Sequence, residues 1–354
     1  MKNRNIMMII AALCVLSMSA CFSSWDGSDE QGNIVISLGD GGARYVVPGG
    51  PGGETEETEE TEETAALEYT IILTSPGKAS QSGKLSGNTS AEFSVQPGLW
   101  TVVVRMENAD AFKYGETDVE VKAGDIVSAP ITLISPTQFT DWDGLESSIT
   151  DSDGKDQVFL LKENLTVNKK PIEINSGRNI TLLAKTPVEI IKGEDIDNSL
   201  FRVIWGSKLT LGGIDEGTIT IVGNEASNNS SLFYVGTTTV TDGLTGPGTG
   251  GTLIINDGVT LTNNHVTMDN RGGAIVVQGG TLIMNGGIIS KNSANNFGGG
   301  VRVLSGTFTK TGGTIYGSNS GDNSNTATNG GHAVYYDTTK KSINTTLGPN
   351  DNLY

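Results

Sequence analysis

The feature that most constrains this 354-residue chain is an internal repeat between Gly272 and Tyr336. One copy reads GGAIVVQGGTLIMNGGIISKN and the next reads GGGVRVLSGTFTKTGGTIYGSN, so that Ala274 aligns with Gly300 at an offset of 26 residues. Each copy contains runs of only a few β-branched or aliphatic residues, which are too short for helices. Such strands form a continuous core only when each copy stacks on the next at the ~4.8 Å spacing of a sheet. The repeat therefore predicts a parallel β-helix.

The glycine and asparagine residues between the short strands of the repeat predict where the chain turns. Glycine pairs suit bends that need a positive φ or a close backbone approach. Asparagine suits left-handed corners and can stack as amide ladders, and we expect both at Asn285, Asn292, Asn295 and Asn296. Further short apolar runs between residues 150 and 265 resemble the same unit in length and spacing. At 26 residues per rung, about two hundred residues predict seven or eight coils.

The motifs of the repeat also resemble a known family. The GGAI and GGGV openings and the IxxN segment Ile289–Asn292 resemble the repeats of chlamydial-type polymorphic outer-membrane proteins. They are similar as well to bacterial surface proteins built on a pectate-lyase-like, right-handed β-helix. The resemblance covers residues 140–354 and implies a right-handed solenoid. It implies little about chemistry, because this architecture serves lyases, hydrolases, tailspikes and adhesins alike.

The N-terminus has the composition of an export signal. Lys2 and Arg4 precede the apolar stretch Ile6–Met18, which is too short for a permanent transmembrane helix. We therefore predict a signal peptide at residues 1–20. The ending Leu-Ser-Met-Ser-Ala-Cys resembles a bacterial lipobox, which implies lipidation of Cys21 and a polar tether at residues 21–31. Multiple acyl chains would hold the protein on a membrane without crossing it.

Residues 32–135 alternate between apolar and polar positions with period two, which predicts six or seven strands of a small antiparallel β-sandwich. The glutamate-rich stretch 48–65 interrupts them, and its mutual repulsion and lack of apolar residues predict a disordered loop. The segment Val95–Val102 resembles the PGxYxL strand entry of transthyretin-like and carboxypeptidase-regulatory-like domains. We expect its Trp100 in the core of the sandwich rather than in a ligand platform.

Between the two predicted domains, Ser135-Pro136-Thr137 reads as a linker. The residues that follow carry apolar side chains at 142, 145 and 149, the one-sided spacing of an amphipathic helix. We interpret residues 140–150 as an N-terminal cap over the first coil, whose strand edges would otherwise be unpaired. The all-β fold class is thus a small sandwich followed by a capped parallel β-helix.

Charge narrows the range of partners. The formal net charge is −17, and an acidic surface repels nucleic-acid phosphates and anionic lipid heads. We therefore expect no nucleic-acid partner.

The residues that could carry chemistry are few. His265 and His332 are the only histidines, and neither has a second histidine or a cysteine at metal-binding spacing. A search at the 26-residue offset finds no column of charged residues. The acidic pairs Asp195/Asp197 and Asp215/Glu216 are predicted at corners. We expect no catalytic residues, no cofactor site and no metal site.

These observations favour a lipid-anchored cell-envelope protein at the outer membrane or cell surface of a bacterium. By resemblance, its β-helix would serve as a non-catalytic adhesive or ligand-binding surface for a host protein, a glycan or a neighbouring cell. Two alternatives remain open. A polysaccharide lyase or hydrolase would show clustered acids and bases on one face, whereas a structural envelope protein would show neither ligand nor cleft.

Overall fold

A computed structural model describes residues 31–39, 68–75, 78–86, 90–108, 111–151, 156–168, 170–224, 230–237, 250–269, 271–337 and 343–346. The predicted signal peptide, Cys21, the tether up to residue 30 and the acidic loop 48–65 lie outside these residues. The chain divides into two compact units, Met1–Leu133 and Ile134–Tyr354. Among the described residues, no helix has the length and hydropathy required to span a bilayer.

The first unit is a β-sandwich of two sheets. One sheet has the strand order β4-β1-β7 and the other β3-β2-β5-β6. Their bounds are β1 (Gly32–Gly39), β2 (Glu68–Thr74), β3 (Gln81–Ser86), β4 (Ala91–Val95), β5 (Gly98–Glu107), β6 (Phe112–Val121) and β7 (Ile126–Thr132). All neighbours pair antiparallel except β1 and β7, which are parallel from Asn33↔Ile126 onward.

The core of the sandwich lies between the two sheets, where the alternating residues of each strand meet. Ile34 and Ile36 of β1 and Ile71 and Leu73 of β2 are fully buried in one cluster. Trp100 is only 1% exposed, and its indole N–H donates to the backbone oxygen of Gln96 at 2.8 Å. The predicted all-β class and the core position of Trp100 are confirmed.

The second unit begins with a short strand and a helix. The strand β8 (Thr137–Phe139) pairs parallel with the first full rung, so Thr137 belongs to the sheet rather than to a linker. The helix α1 (Trp142–Thr150) starts at Asp141, whose carboxylate accepts from the Gly144 amide at 2.7 Å. Its apolar face, Trp142, Leu145 and Ile149, is buried in the core of the β-helix. The predicted amphipathic helix is confirmed.

The remaining strands stack in parallel on three faces. Face A contains β9 (Gln157–Leu161), β12 (Asn179–Ala184), β15 (Lys208–Gly213), β18 (Thr252–Ile255), the second halves of β21 (Ile275–Met284) and β24 (Val301–Lys310), and β28 (Ile343–Thr346). Face B contains β10 (Leu165–Val167), β13 (Val188–Lys192), β16 (Ile219–Val222), β19 (Val259–Thr262), β22 (Ile288–Ser290) and β25 (Thr314–Ile315).

Face C contains β11 (Ile172–Ile174), β14 (Phe201–Ile204), β17 (Phe233–Gly236), the first halves of β21 and β24, and β27 (Val334–Tyr336). A shorter stack, β20 (His265–Val266), β23 (Ser293–Ala294) and β26 (Thr326–Ala327), lies between faces B and C in the last rungs. The 3₁₀ helix Gly321–Asn323 precedes β26. This parallel stacking confirms the predicted β-helix, and its right-handed sense stays a prediction.

The register confirms the repeat and shows where it is interrupted. Ile275 pairs with Val301 and Ile289 with Ile315, both at the predicted offset. The spacing varies among the earlier rungs, from 23 residues between Gln157 and Ile180 to 44 residues between Lys208 and Thr252, whose rung includes residues 238–249. The inward side chains of all three faces form one apolar cluster that runs from Phe139 to Val334.

Asparagines bind successive rungs together inside one corner. The backbone amide of Asn264 donates to the Asn292 side chain at 3.1 Å, and the amide of Asn292 donates to the Asn325 side chain at 2.9 Å. All three residues are at most 1% exposed. The predicted amide ladder is confirmed for Asn292, and a second contact joins Asn285 to Asn256 at 3.1 Å.

The left-handed prediction for Asn285, Asn292, Asn295 and Asn296 is wrong. The described non-glycine residues with positive φ are instead Ser176, Trp205, Asp215, Asn263 and Lys291. At the ladder corner, the left-handed residue is the one directly before the buried asparagine, as in Asn263 before Asn264 and Lys291 before Asn292. Turning the chain there leaves the following side chain directed inward, where it satisfies the amide of the next rung.

Candidate ligand-contact face

The outward side of face C carries the most distinctive set of side chains in the second unit. In each strand of this face, the residues on either side of the middle position pack in the main core, so the middle residue points away from that core. Tyr234, Val276 and Arg302 are nevertheless buried, at 8%, 0% and 5% exposed. The register stacks these middle residues rung upon rung. We call them the outer column: Glu173, Arg202, Tyr234, Val276, Arg302 and Tyr335.

Two arginines converge on one tyrosine in the middle of the outer column. The guanidinium carbons of Arg202 and Arg271 each lie 5.6 Å from the centre of the Tyr234 ring. Arg202 also forms an ion pair with Glu173 at 3.1 Å. The Tyr234 hydroxyl donates to the backbone oxygen of Thr237 at 2.8 Å, which fixes the ring. Two cationic side chains are thus held against one ordered aromatic ring.

Burial affects how these groups ionise. Burial lowers the pKa of Arg271, and the neighbouring positive charge of Arg202 lowers it further, while Tyr234 opposes the shift. Burial raises the pKa of Tyr234, against the influence of both arginines. Arginine nevertheless stays protonated in proteins. The two guanidinium groups therefore remain charged and repel each other.

Arg302 lies beside a stacked pair of aromatic rings at the far end of the outer column. Its guanidinium carbon lies 5.4 Å from the centre of Phe297 and 5.6 Å from that of Tyr335. The two rings stack at 4.1 Å, and an Nη1 hydrogen of Arg302 is donated to the backbone oxygen of Asp269. Arg302 is only 5% exposed, and its Nε atom has no hydrogen-bond partner among the described residues. Burial lowers its pKa.

Apolar side chains fill the space between these two cationic groups. Ile204, Tyr234, Val276 and Leu304 form a small buried cluster separate from the main core. Close by in sequence, Trp205 is 53% exposed with a left-handed φ of 53°. The outward side of face C thus combines cationic, aromatic and apolar groups, the composition found at the centres of binding interfaces.

A polar groove of about 390 Å³ lies at the corner after face B. Its lining includes Asn263, His265, Lys291, Ser293 and Asp322. The Nδ1 atom of His265 contacts the Ser293 hydroxyl of the next rung. A serine next to an imidazole is the arrangement from which a nucleophile can be activated.

The other candidate residues lie apart from this groove. The Nδ1 atom of His332 accepts a hydrogen bond from the backbone amide of Ala327 at 3.0 Å, so this histidine stabilises a local turn. Asp215 occupies a left-handed corner position, as predicted for an acidic pair at a turn. In the described part of the chain, no three His, Cys, Asp or Glu side chains are grouped to hold a metal ion.

The sequence search missed the outer column because it applied one offset to the whole β-helix. The rungs that carry Arg202, Tyr234 and Arg302 are separated by inserted loops, so their spacing is unequal. A local signal was nevertheless present. The triplets FRV, FYV, VRV and VYY each place an arginine or tyrosine between two apolar residues, which is the alternation expected of a strand whose middle side chain faces outward.

Comparison of the chain with protein-family models, with curated proteins and with solved structures finds no match.

Proposed function

We propose that this protein is a lipid-anchored component of the bacterial cell envelope whose β-helix presents a non-catalytic ligand-binding surface. The observation that carries the proposal is the outer column of face C. Arginine and tyrosine are the residues most enriched at energetic centres of binding, because they combine hydrogen-bonding groups with a large planar contact area. A purely structural rung requires neither at an outward position.

The chemistry of the outer column suits retention of a ligand better than its conversion. General acid–base catalysis requires a proton donor and acceptor whose pKa values lie near the working pH. The pKa of Arg302 and that of Tyr234 are set far from neutrality by their chemical type, even after the shifts that burial causes. Guanidinium groups and aromatic rings instead supply directional, reversible contacts.

Anchoring at Cys21 would complete this function by keeping the surface on the cell. A lipobox-like sequence precedes Cys21, and acylation would supply several hydrophobic chains at one site. The test is incorporation of labelled palmitate by the full chain in a bacterial host. We expect labelling of the wild type and none of Cys21→Ala, and equal labelling of both would refute the anchor.

The binding surface itself is tested with an array of glycans and matrix proteins probed by the full chain. We expect at least one ligand whose binding weakens in Arg202→Ala and Tyr335→Ala. The matched control is Lys162→Ala, which removes an exposed positive charge away from face C. The proposal would be refuted if the array yields no ligand, or if the ligand it yields binds both variants as tightly as the wild type.

A hydrolase acting on polysaccharide is the second candidate, in the form of an esterase that removes acyl groups from sugars, because an activated serine attacks esters rather than glycosidic bonds. The groove with His265 and Ser293 is the observation that favours it. Ser293 would be the nucleophile and His265 its base, with Lys291 and Asp322 lining the same groove. A fluorophosphonate probe labels activated serines. Labelling of the wild type at Ser293 that disappears in His265→Ala would support this candidate, and absence of labelling would remove it.

A further inference from the structure

The chain contains two Asn-Gly dipeptides, Asn285-Gly286 and Asn329-Gly330, both in the second unit. Asparagine before glycine loses its side-chain amide readily, because glycine has no side chain to hinder attack by its own backbone nitrogen. In an unfolded chain the two sites would therefore react alike. The fold places them in different surroundings, and the difference predicts which of them reacts.

At the first site, the fold closes the reaction path. The backbone amide of Gly286 donates to the Ile255 oxygen at 3.2 Å. The Asn285 side chain is held on both sides, because it donates to the Asn256 Oδ1 atom at 3.1 Å and accepts from the Thr311 hydroxyl at 3.1 Å. Attack by the Gly286 nitrogen on the Asn285 amide therefore requires three hydrogen bonds to break.

At the second site, the same path is open. Asn329 is exposed, and no described residue accepts a hydrogen bond from the Gly330 amide. Within the described part of the chain, the Asn329 side chain makes one hydrogen bond, from Nδ2 to the Asn296 Oδ1 atom at 2.9 Å. A Cβ added at Gly330 would meet nothing within 4 Å apart from its chain neighbours. The asparagine side chain thus has room to turn towards the glycine nitrogen.

We infer that Asn329 is a site of spontaneous deamidation in the folded protein, that Asn285 is protected, and that the conversion releases the turn at Asn329 from the preceding rung. The Gly330 nitrogen attacks Cγ of Asn329, and a succinimide ring closes as the N–Cγ bond forms and the Cγ–Nδ2 bond breaks. The proton lost from the Gly330 amide leaves with Nδ2 as ammonia. Water then opens the ring at Cγ to give aspartate, or at the backbone carbonyl carbon to give isoaspartate.

Both products change the contacts that tie this turn to the rung before it. The amides of Gly298 and Gly299 donate to the oxygens of Gly330 and Gly331 at 3.3 and 3.1 Å. Isoaspartate lengthens the backbone directly before Gly330 by one carbon, which displaces both acceptors from hydrogen-bonding geometry. Either product also carries a carboxylate in place of the amide, so the donor to Asn296 is lost.

The experiment follows both sites in the full chain by peptide mapping with mass spectrometry. The protein is incubated in mildly alkaline buffer, where the attacking nitrogen loses its proton most readily. Conversion is read from the mass increase of amide to acid, and electron-transfer fragmentation distinguishes isoaspartate from aspartate. We expect Asn329 to convert at least about tenfold faster than Asn285, because three hydrogen bonds protect the latter. In guanidinium chloride, which unfolds the chain, the two sites should convert at similar rates.

The variant Asn329→Gln tests the effect on the turn. Glutamine has the same amide on a side chain one methylene longer, and its ring closes much more slowly. After incubation, the wild type should exchange backbone hydrogen faster than fresh protein in the peptide that contains Gly298 and Gly299. Incubated Asn329→Gln should exchange like its fresh sample.

Each half of the inference has an outcome that overturns it. If Asn329 converts no faster than Asn285 in the folded chain, the protection argument is wrong. If hydrogen exchange at Gly298 and Gly299 is the same before and after conversion, the turn is not released. Neither measurement uses a ligand, so both outcomes are independent of the proposed function of face C.

Discussion

The buried asparagine ladder offers the sharpest test of how the rungs are held together. Asn292 is 1% exposed and satisfies several backbone groups. Its side-chain oxygen accepts from the Asn264 amide at 3.1 Å. Its Nδ2 group donates to the backbone oxygens of Leu261 at 3.0 Å and Ser290 at 2.8 Å. Replacing Asn292 with alanine would remove these three hydrogen bonds from buried backbone groups.

The expected loss of stability follows from the number of hydrogen bonds that are removed. Each buried backbone group that loses its partner costs about 1–3 kcal/mol, and water that enters the new space offsets part of it. Asn292→Ala should therefore reduce stability by about 3–5 kcal/mol, near the upper end for single substitutions. The matched control is Asn296→Ala, because Asn296 makes an exposed contact with Asn329 at 2.9 Å. That substitution should cost less than about 1 kcal/mol.

Native-state hydrogen exchange read by mass spectrometry measures this effect locally, on peptides from β19 and β22. Exchange of protected amides in these strands should accelerate at least about a hundredfold in Asn292→Ala, because every 1.4 kcal/mol is a factor of ten. The control should exchange like the wild type. If both variants exchange at similar rates, the ladder does not hold the rungs together and this reasoning is refuted.

Two further substitutions test burial and backbone geometry. Burial lowers the pKa of Lys192 from 10.5 to about 8, against the attraction of Asp197. The unfolded chain therefore binds more protons between about pH 8 and 10.5, and this residue's contribution to stability rises with pH. In urea titrations, Lys192→Met should raise the free energy of unfolding above that of the wild type, by about 2–3 kcal/mol more at pH 7 than at pH 10. An increase that does not depend on pH would contradict this reasoning. Gly306→Ala should cost about 2 kcal/mol or more, because φ is 104° and the new Cβ would lie 2.2 Å from the Gly280 oxygen. Gly317→Ala, in open space, is its control in thermal unfolding, and equal midpoints would refute the steric argument.

Much of the fold was predictable because the relevant signals are local and repeated. The short apolar runs between Gly272 and Tyr336 fixed the parallel stacking, since strands of that length require neighbours to bury them. The spacing of Trp142, Leu145 and Ile149 likewise predicted the capping helix, which buries those three side chains.

Other features depend on interactions that no local pattern encodes. The parallel pairing of β1 with β7 joins segments about ninety residues apart, and alternation of apolar residues does not distinguish it from antiparallel pairing. Strand β3, with the sequence QSGKLS, has almost no apolar alternation and is held by its neighbour β2. Tertiary pairing overrides weak propensity in such segments.

The candidate site was missed for a related reason. Its residues become neighbours only when the true register, including the loops, is known. Arg202 and Arg302 are a hundred residues apart in sequence but lie in one column because β14, β17, β21 and β24 stack in order. The partnerless Nε of Arg302 depends on the placement of Phe297, Tyr335 and Asp269, which sequence spacing does not specify.

We propose that face C retains a ligand and leaves it chemically unchanged. Mass spectrometry tests both parts on a ligand from the glycan and matrix-protein array, recovered after prolonged incubation with the full chain at a concentration that saturates binding. We expect the ligand to be recovered at its original mass, and we expect its retention to weaken in Arg202→Ala. A ligand of altered mass, or retention that persists in Arg202→Ala, would contradict the proposal.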